Sequence, residues 1–215
     1  MTSNDPERAL IVTYAPVRGR GALAALLALD DALAQLVRTT REPAIGQIRL
    51  AWWRERLEGL DAGAAPAEPV LQGLAASGVP GASLIAVVDG WEVLIEERLD
   101  ADALARFGEG RGALFVAAGV ALGAAGDPLA EAGQGWALAD LARHLGEPDE
   151  AEAAHTLAMP LLQAATAARW SREGRALGAM AHLARRDLGL APGEAPPVGA
   201  PSRVARLLWH RLTGR

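Results

Sequence analysis

The sequence predicts an all-α fold, and three observations carry that expectation. Apolar residues recur at three- and four-residue steps through several long windows, no segment alternates with the period of a strand, and glycine, proline and capping residues punctuate the chain at helical lengths. With 215 residues, 51% of them hydrophobic, the chain fits one domain with a large core. The absence of cysteine excludes disulfides and thiolate metal sites and agrees with a reducing compartment. Every basic residue is arginine, and alanine and glycine abound, a pattern of genome composition rather than of function. A formal charge of −5 gives no general reason to expect nucleic acid as a partner.

The elements follow in order. Leu10 to Pro16 form a short apolar segment, and Arg18-Gly19-Arg20-Gly21 is a turn into the first long helix. There Leu23, Leu26, Leu27, Leu33, Leu36 and Val37 line one face, and Asp30 falls inside it. An unpaired carboxylate costs several kcal/mol to bury, so Asp30 needs an arginine, a metal ion or a wet cavity beside it. Arg49, Arg54 and Arg56 of the next helix, which Pro43 opens, are the candidate partners. Breakers make residues 61–69 a surface connection, and a short helix from Val70 to Ala76 ends near Gly78 and Pro80.

Leu84, Val87, Val88, Trp91, Leu94 and Ile95 mark another amphipathic helix, with Asp89, Glu92 and Glu96 on its flank as a solvated edge. Asp100 is the expected N-cap of a helix from Ala101. The small apolar residues of 110–126 suit a buried helix that neighbours approach closely, and Asp127-Pro128 is the capping signal for one reaching Leu145. Further helices are expected from Asp149 to Ser171, interrupted at Pro160, and from Arg172 to Leu188. Pro192, Pro196, Pro197 and Pro201 make residues 191–201 an extended linker. A short basic amphipathic helix then places Val204, Leu207 and Leu208 against Arg203, Arg206, His210 and Arg211. With Trp209, its arginines suit either docking on anionic lipid or packing back onto the domain.

Two blocks carry a resemblance to a known family. The run from Ala25 to Leu36, followed by Glu42-Pro43-Ala44-Ile45-Gly46-Gln47-Ile48-Arg49-Leu50-Ala51-Trp52-Trp53-Arg54-Glu55, resembles the squalene/phytoene synthase family. It looks closest to the divergent branch that includes the mitochondrial complex I assembly factor of that family. The likeness runs more weakly from Tyr14 to Pro160. It implies a single-domain helical bundle of the isoprenoid-synthase type over residues 1–190, shorter than the family's enzymes.

The resemblance also implies where catalysis would sit. Active members hold Mg²⁺ on two aspartate-rich segments of facing helices, and the ions ionise an allylic diphosphate. In this chain Ala34 and Gln35 stand where the first paired aspartates belong, with Asp30 and Asp31 about one turn earlier. Val88-Asp89-Gly90-Trp91-Glu92-Val93-Leu94 keeps the start of the family's middle motif and has Leu94 for its last aspartate. In Leu141-Ala142-Arg143-His144-Leu145-Gly146-Glu147-Pro148, Arg143, Gly146 and Glu147 stay, while His144 and Pro148 replace two aspartates. Residues that bind diphosphate are thin.

The expected function is therefore a noncatalytic family member, without cofactor or metal, that binds an isoprenoid or lipid or assists assembly of a membrane respiratory complex. The alternatives are a Mg²⁺-dependent head-to-head prenyltransferase and a purely structural interaction protein. The remnant pocket would comprise Asp30, Asp31, Arg49, Arg54, Asp89, Glu92, Arg143, His144 and Glu147. Asp140, His144 and Glu147 share a helical face that suits either a replacement metal site or an exposed helix end. Trp52 and Trp53 suit a prenyl tunnel or core and interface anchors. The polar, acidic start from Met1 to Glu7 and the lack of a bilayer-length apolar run lead to the expectation of a cytoplasmic protein, peripheral to the inner membrane if it meets one.

Overall fold

In a computed structural model, which describes residues 6–63, 67–95, 98–191 and 194–215, every regular element is helical. The α-helices are α1 (Pro6–Val12), α2 (Arg20–Thr39), α3 (Pro43–Leu60), α4 (Pro69–Ser77), α5 (Ile85–Val93), α6 (Ala101–Leu122), α7 (Leu129–Ala142), α8 (Pro148–Ala167), α9 (Arg175–Leu188) and α10 (Pro201–Thr213). Short 3₁₀ turns precede α2 and α5. The buried side chains form one hydrophobic core. Glu96 and Pro192, both used in the sequence reading, lie outside the described residues, as do Met1 to Asp5 and part of the connection between α3 and α4.

The local signals explain most helix ends. Pro43 occupies the first turn of α3, where its missing N–H costs nothing. The Asp100 carboxylate accepts from the backbone N–H of Ala103 at 2.8 Å and starts α6. Gly78 stops α4 with φ near 70°, a left-handed conformation that a Cβ would strain.

The structure corrects several expectations. The first helix begins at Pro6 and buries Glu7, so an acidic residue read as part of a polar start is inside the fold. Asp127 does not cap α7. Its carboxylate accepts from the backbone N–H of Ser171 at 2.9 Å and the hydroxyl of Ser171 at 2.7 Å, fixing the turn before α9. Pro160 lies within an unbroken α8, which Leu162 seats against Gly135 of α7. Packing there outweighs the lost backbone bond.

Close helix crossings make the centre of the bundle. A Cβ on Gly90 of α5 would lie 2.4 Å from the backbone nitrogen of Arg111, and one on Gly110 would lie 2.6 Å from the Cα of Gly90. Two residues further along α6 a Cβ on Gly112 would lie 2.6 Å from the backbone nitrogen of Gln134 on α7. Two glycine-mediated crossings thus bracket a single charged residue, Arg111, and hold α5 and α7 tightly to α6. Its side chain projects from between these two crossings.

α10 packs on α9 with an inverted polarity. Arg203, Leu207 and His210 are buried, whereas Leu208, Trp209 and Leu212 are exposed. Of the expected apolar inner face, Leu207 is buried and Val204 half-buried, but Leu208 is exposed while Arg203 and His210 turn inward: the acids that await Arg203 shift the register. No described helix is long and apolar enough to cross a membrane.

Candidate functional site

A chamber of about 490 Å³ opens between α2, α7 and α9, roofed by α1 and by Pro196 and Val198. Ile11, Leu27, Ala34, Trp136, Met180 and Leu183 supply apolar wall. Charged residues of both signs share it: Glu7, Asp30, Asp31, Asp140 and Asp187 with Arg8, Arg38, Arg111, Arg143 and Arg203. The basic side chains arrive from α1, α2, α6, the end of α7 and α10.

Asp30 is 4% exposed, as is Arg111, and the two form a bidentate pair. Arg111 Nε donates to Asp30 Oδ1 at 2.9 Å and Nη2 to Oδ2 at 2.8 Å. Its remaining terminal nitrogen, Nη1, donates to Asp140 Oδ2 at 2.6 Å. Trp91 Nε1 donates to Asp30 Oδ1 at 3.0 Å. The guanidinium also lies 4.5 Å from the ring centre of Trp91 and 4.3 Å from that of Trp136, within reach of both π faces. Burial alone would favour the neutral arginine, yet the charges of Asp30 and Asp140 raise its pKa above the ordinary value. Burial likewise opposes ionisation of Asp140, and the Arg111 charge and hydrogen bond reverse that, holding the carboxyl below its usual range.

Arg49 and Arg54, the expected partners of Asp30, lie elsewhere. Arg49 donates to the Thr40 hydroxyl at 2.8 Å, and Arg54 pairs with Asp89 and with Glu92, the latter at 2.8 Å. Asp89 and Glu92 line a separate cleft with Gln47 and Arg106; Asp89 stays exposed, as expected of a solvated edge, while both acids pair with Arg54 across the α3–α5 contact. Four of the nine expected residues meet at the chamber: Asp30, Asp31, Arg143 and His144. Glu147 occupies the N-cap position of α8 without a side-chain cap bond and does not line it.

Each other acid has a cation. Asp31 accepts from Arg8 at 2.7 Å. Glu7 accepts from Arg203 at 2.8 and 2.9 Å, and Asp187 takes the other side of the same guanidinium. Burial works against the Glu7 carboxylate, but Arg203 and the Gly199 backbone N–H, at 2.9 Å, lower its pKa overall. Arg143 donates to the carbonyls of Asp187 at 3.0 Å and Glu194 at 2.7 Å, fastening the roof. His144 Nδ1 meets the Asp140 carbonyl at 2.7 Å while its side chain stays largely exposed.

Arg111 and Arg203 are the residues that sequence reasoning missed as site residues. Arg111 had a signal: a charge between Gly110 and Gly112, where neighbouring helices approach closely, and just before the apolar second half of the helix, needs a buried partner. Arg203 was assigned to an outer face, and no local pattern names Glu7 as its partner.

With this geometry in place, comparison with known proteins is decisive for the family. The family model described as squalene/phytoene synthase matches residues 1–186. The chain belongs to the squalene/phytoene synthase family. The all-α fold agrees with the isoprenoid-synthase architecture of that family. No curated protein and no solved structure gives a significant match.

Membership raises the question of magnesium. Asp30 and Asp140 each stand one helical turn before Ala34 and His144, which occupy the expected metal-ligand positions and also line the chamber. Both Asp30 oxygens and one Asp140 oxygen already accept from Arg111. Among the described residues no group of three or more His, Cys, Asp or Glu is placed to hold a metal. A hard dication needs several free carboxylate or phosphate oxygens, and its charge would be repelled by Arg111. The residues present do not fit Mg²⁺, and no chemical step is assigned to it.

Proposed function

We propose that this family member is noncatalytic: it binds an isoprenoid or similar lipid in the α2–α7–α9 chamber without ionising it, in the service of a membrane respiratory complex. One observation carries the reading. The cation between the two facing acidic helices is a covalently fixed guanidinium, Arg111, held by Asp30 and Asp140. Such a group neutralises the acids permanently and leaves them unable to grip and release a metal–diphosphate unit.

The apolar wall gives a chain-like ligand its burial, and Arg38, which has no acidic ion-pair partner among the described residues, faces the same space to meet a polar head. The assembly role is supported by the exposure of Ile48 and Trp52, apolar members of the very block that carries the family likeness. A surface signature of that kind suits recognition of another protein.

Purified protein incubated with farnesyl or geranylgeranyl diphosphate and Mg²⁺ tests this. Saturable binding, followed by quenching of tryptophan fluorescence, without release of diphosphate is expected. Turnover abolished by Asp30→Ala would instead establish the prenyltransferase alternative. Absence of binding, together with co-purification of respiratory subunits that Trp52→Ala disrupts, would leave only the assembly half of the proposal standing.

A further inference from the structure

α10 lies beyond the residues that the family model matches, and its outward surface has no role in the chamber. Three features coincide there. Leu208, Trp209 and Leu212 are 48%, 57% and 76% exposed and lie on one outward stripe, although leucine and tryptophan gain most from burial. Meanwhile the inward face carries Arg203 and His210 beside Leu207, so three apolar side chains stay in solvent while two polar ones are buried.

Beside that stripe is a cavity of about 420 Å³ lined by Thr166, His182, Arg185, Arg186, Arg206 and Trp209, with Ala167 and Arg215 at its edge. Among the described residues no Asp or Glu side chain lines it. Arg185 donates to the Thr166 hydroxyl at 2.8 Å and Arg186 weakly to that of Ser202 at 3.3 Å. Arg206 meets only His182 Nε2, at 3.1 Å, and its own Nε is buried without a hydrogen-bond partner. None of these three arginines forms an ion pair among the described residues. Burial and the neighbouring charges of Arg186 and Arg185 lower the pKa of Arg206, as expected where like charges gather unneutralised. Concentrated positive charge of this kind is stabilised by an anion with several acceptor oxygens.

We propose that the outer face of α10 and the adjoining end of α9 dock on an anionic phospholipid surface, with Leu208, Trp209 and Leu212 entering the interface and Arg185, Arg186 and Arg206 taking a lipid phosphate. The two parts fit one occupant. Soluble phosphate satisfies the arginines and leaves the apolar stripe in water, while a second protein copy covers the stripe but brings the same arginine cluster against itself. A bilayer bearing negative headgroups answers both at one boundary, apolar beneath and phosphate at the rim.

The test is sedimentation of the full chain with vesicles of phosphatidylcholine alone or mixed with phosphatidylglycerol. Binding to the mixed vesicles, weak binding to the neutral ones and release by high salt are expected. Trp209→Ser with Leu212→Ser should lower partitioning about tenfold or more, from the apolar surface it removes. Arg185→Gln and Arg186→Gln should each lower binding to the anionic vesicles about fivefold and leave binding to the neutral ones unchanged. Thermal unfolding of each variant confirms that the fold is kept. Three results would overturn the proposal: equal or absent binding to both vesicle types, stabilisation by inorganic phosphate that needs Arg186 without vesicle binding, or a dimer lost with Leu212→Ser and no vesicle binding. None of these depends on whether the chamber takes an isoprenoid.

Discussion

Arg111 of α6 and Arg203 of α10 enter the same chamber, and each guanidinium lies between two carboxylates. The first joins α2 to α7 through Asp30 and Asp140, the second α1 to α9 through Glu7 and Asp187. Both are buried. Fixed positive charge thus holds the walls where acidic side chains would otherwise repel one another, so the architecture of the chamber depends on arginine.

Removing Arg111 should expose that dependence. Arg111→Met leaves Asp30 without a partner in the core, and a loss of about 3–5 kcal/mol is expected in urea unfolding. Adding Asp30→Leu removes the orphaned charge and should recover much of the loss. A double variant no more stable than Arg111→Met would show that the two side chains are not energetically linked.

The Glu7–Arg203 contact should behave as a coupled pair despite lying at the chain ends. Glu7→Gln and Arg203→Met are each expected to destabilise, with a double-mutant coupling on the order of 1–3 kcal/mol. Trypsin should cleave α10 faster in either variant.

The adjacent tryptophans of α3 should separate cleanly. Trp53 is buried in the core, and Trp53→Ala should cost about 3–5 kcal/mol. Trp52 is 37% exposed with Arg56 over its ring, so Trp52→Ala should lower the melting temperature far less.

Acid should loosen the contact between α9 and α10 first. Burial, reinforced by nearby positive charge, pulls His182 down to about 3 and His210 to about 4. In the unfolded chain both titrate near about 6.5. The unfolded state therefore takes up protons first as pH falls, and the stability present above about pH 6.5 is lost progressively towards pH 4. His210 alone contributes up to about 3 kcal/mol of that loss. Urea midpoints of the wild type and His210→Gln from pH 7 to 4 should show a shallower slope for the variant.

Glycine replacements should discriminate crossings from free positions. Gly110→Ala forces its Cβ against the backbone of α5 and should destabilise strongly. Gly59→Ala, near the end of α3 with no atom within 4 Å of the added methyl, should stabilise by about 0.5–1 kcal/mol.

These contrasts show what the sequence makes legible. Helical periodicity, Pro43, Asp100 and Gly78 act within one turn, so the fold class and several helix ends could be read directly. The demand that Asp30 have a partner was also legible from its place on an apolar face. The partner was not, because Arg111 stands 81 residues away and its approach depends on two glycine crossings. The polarity of α10 was misread for the same reason: Glu7, 196 residues earlier, decides which face turns inward. Long-range ion pairs leave no periodic trace.

That separation bears on how the protein is made. On a ribosome, Glu7 is made 196 residues before Arg203, so their contact cannot form until both have emerged. The chamber that Glu7 and Arg203 both line can therefore take its finished form only after α10 has been made, however early its other walls fold.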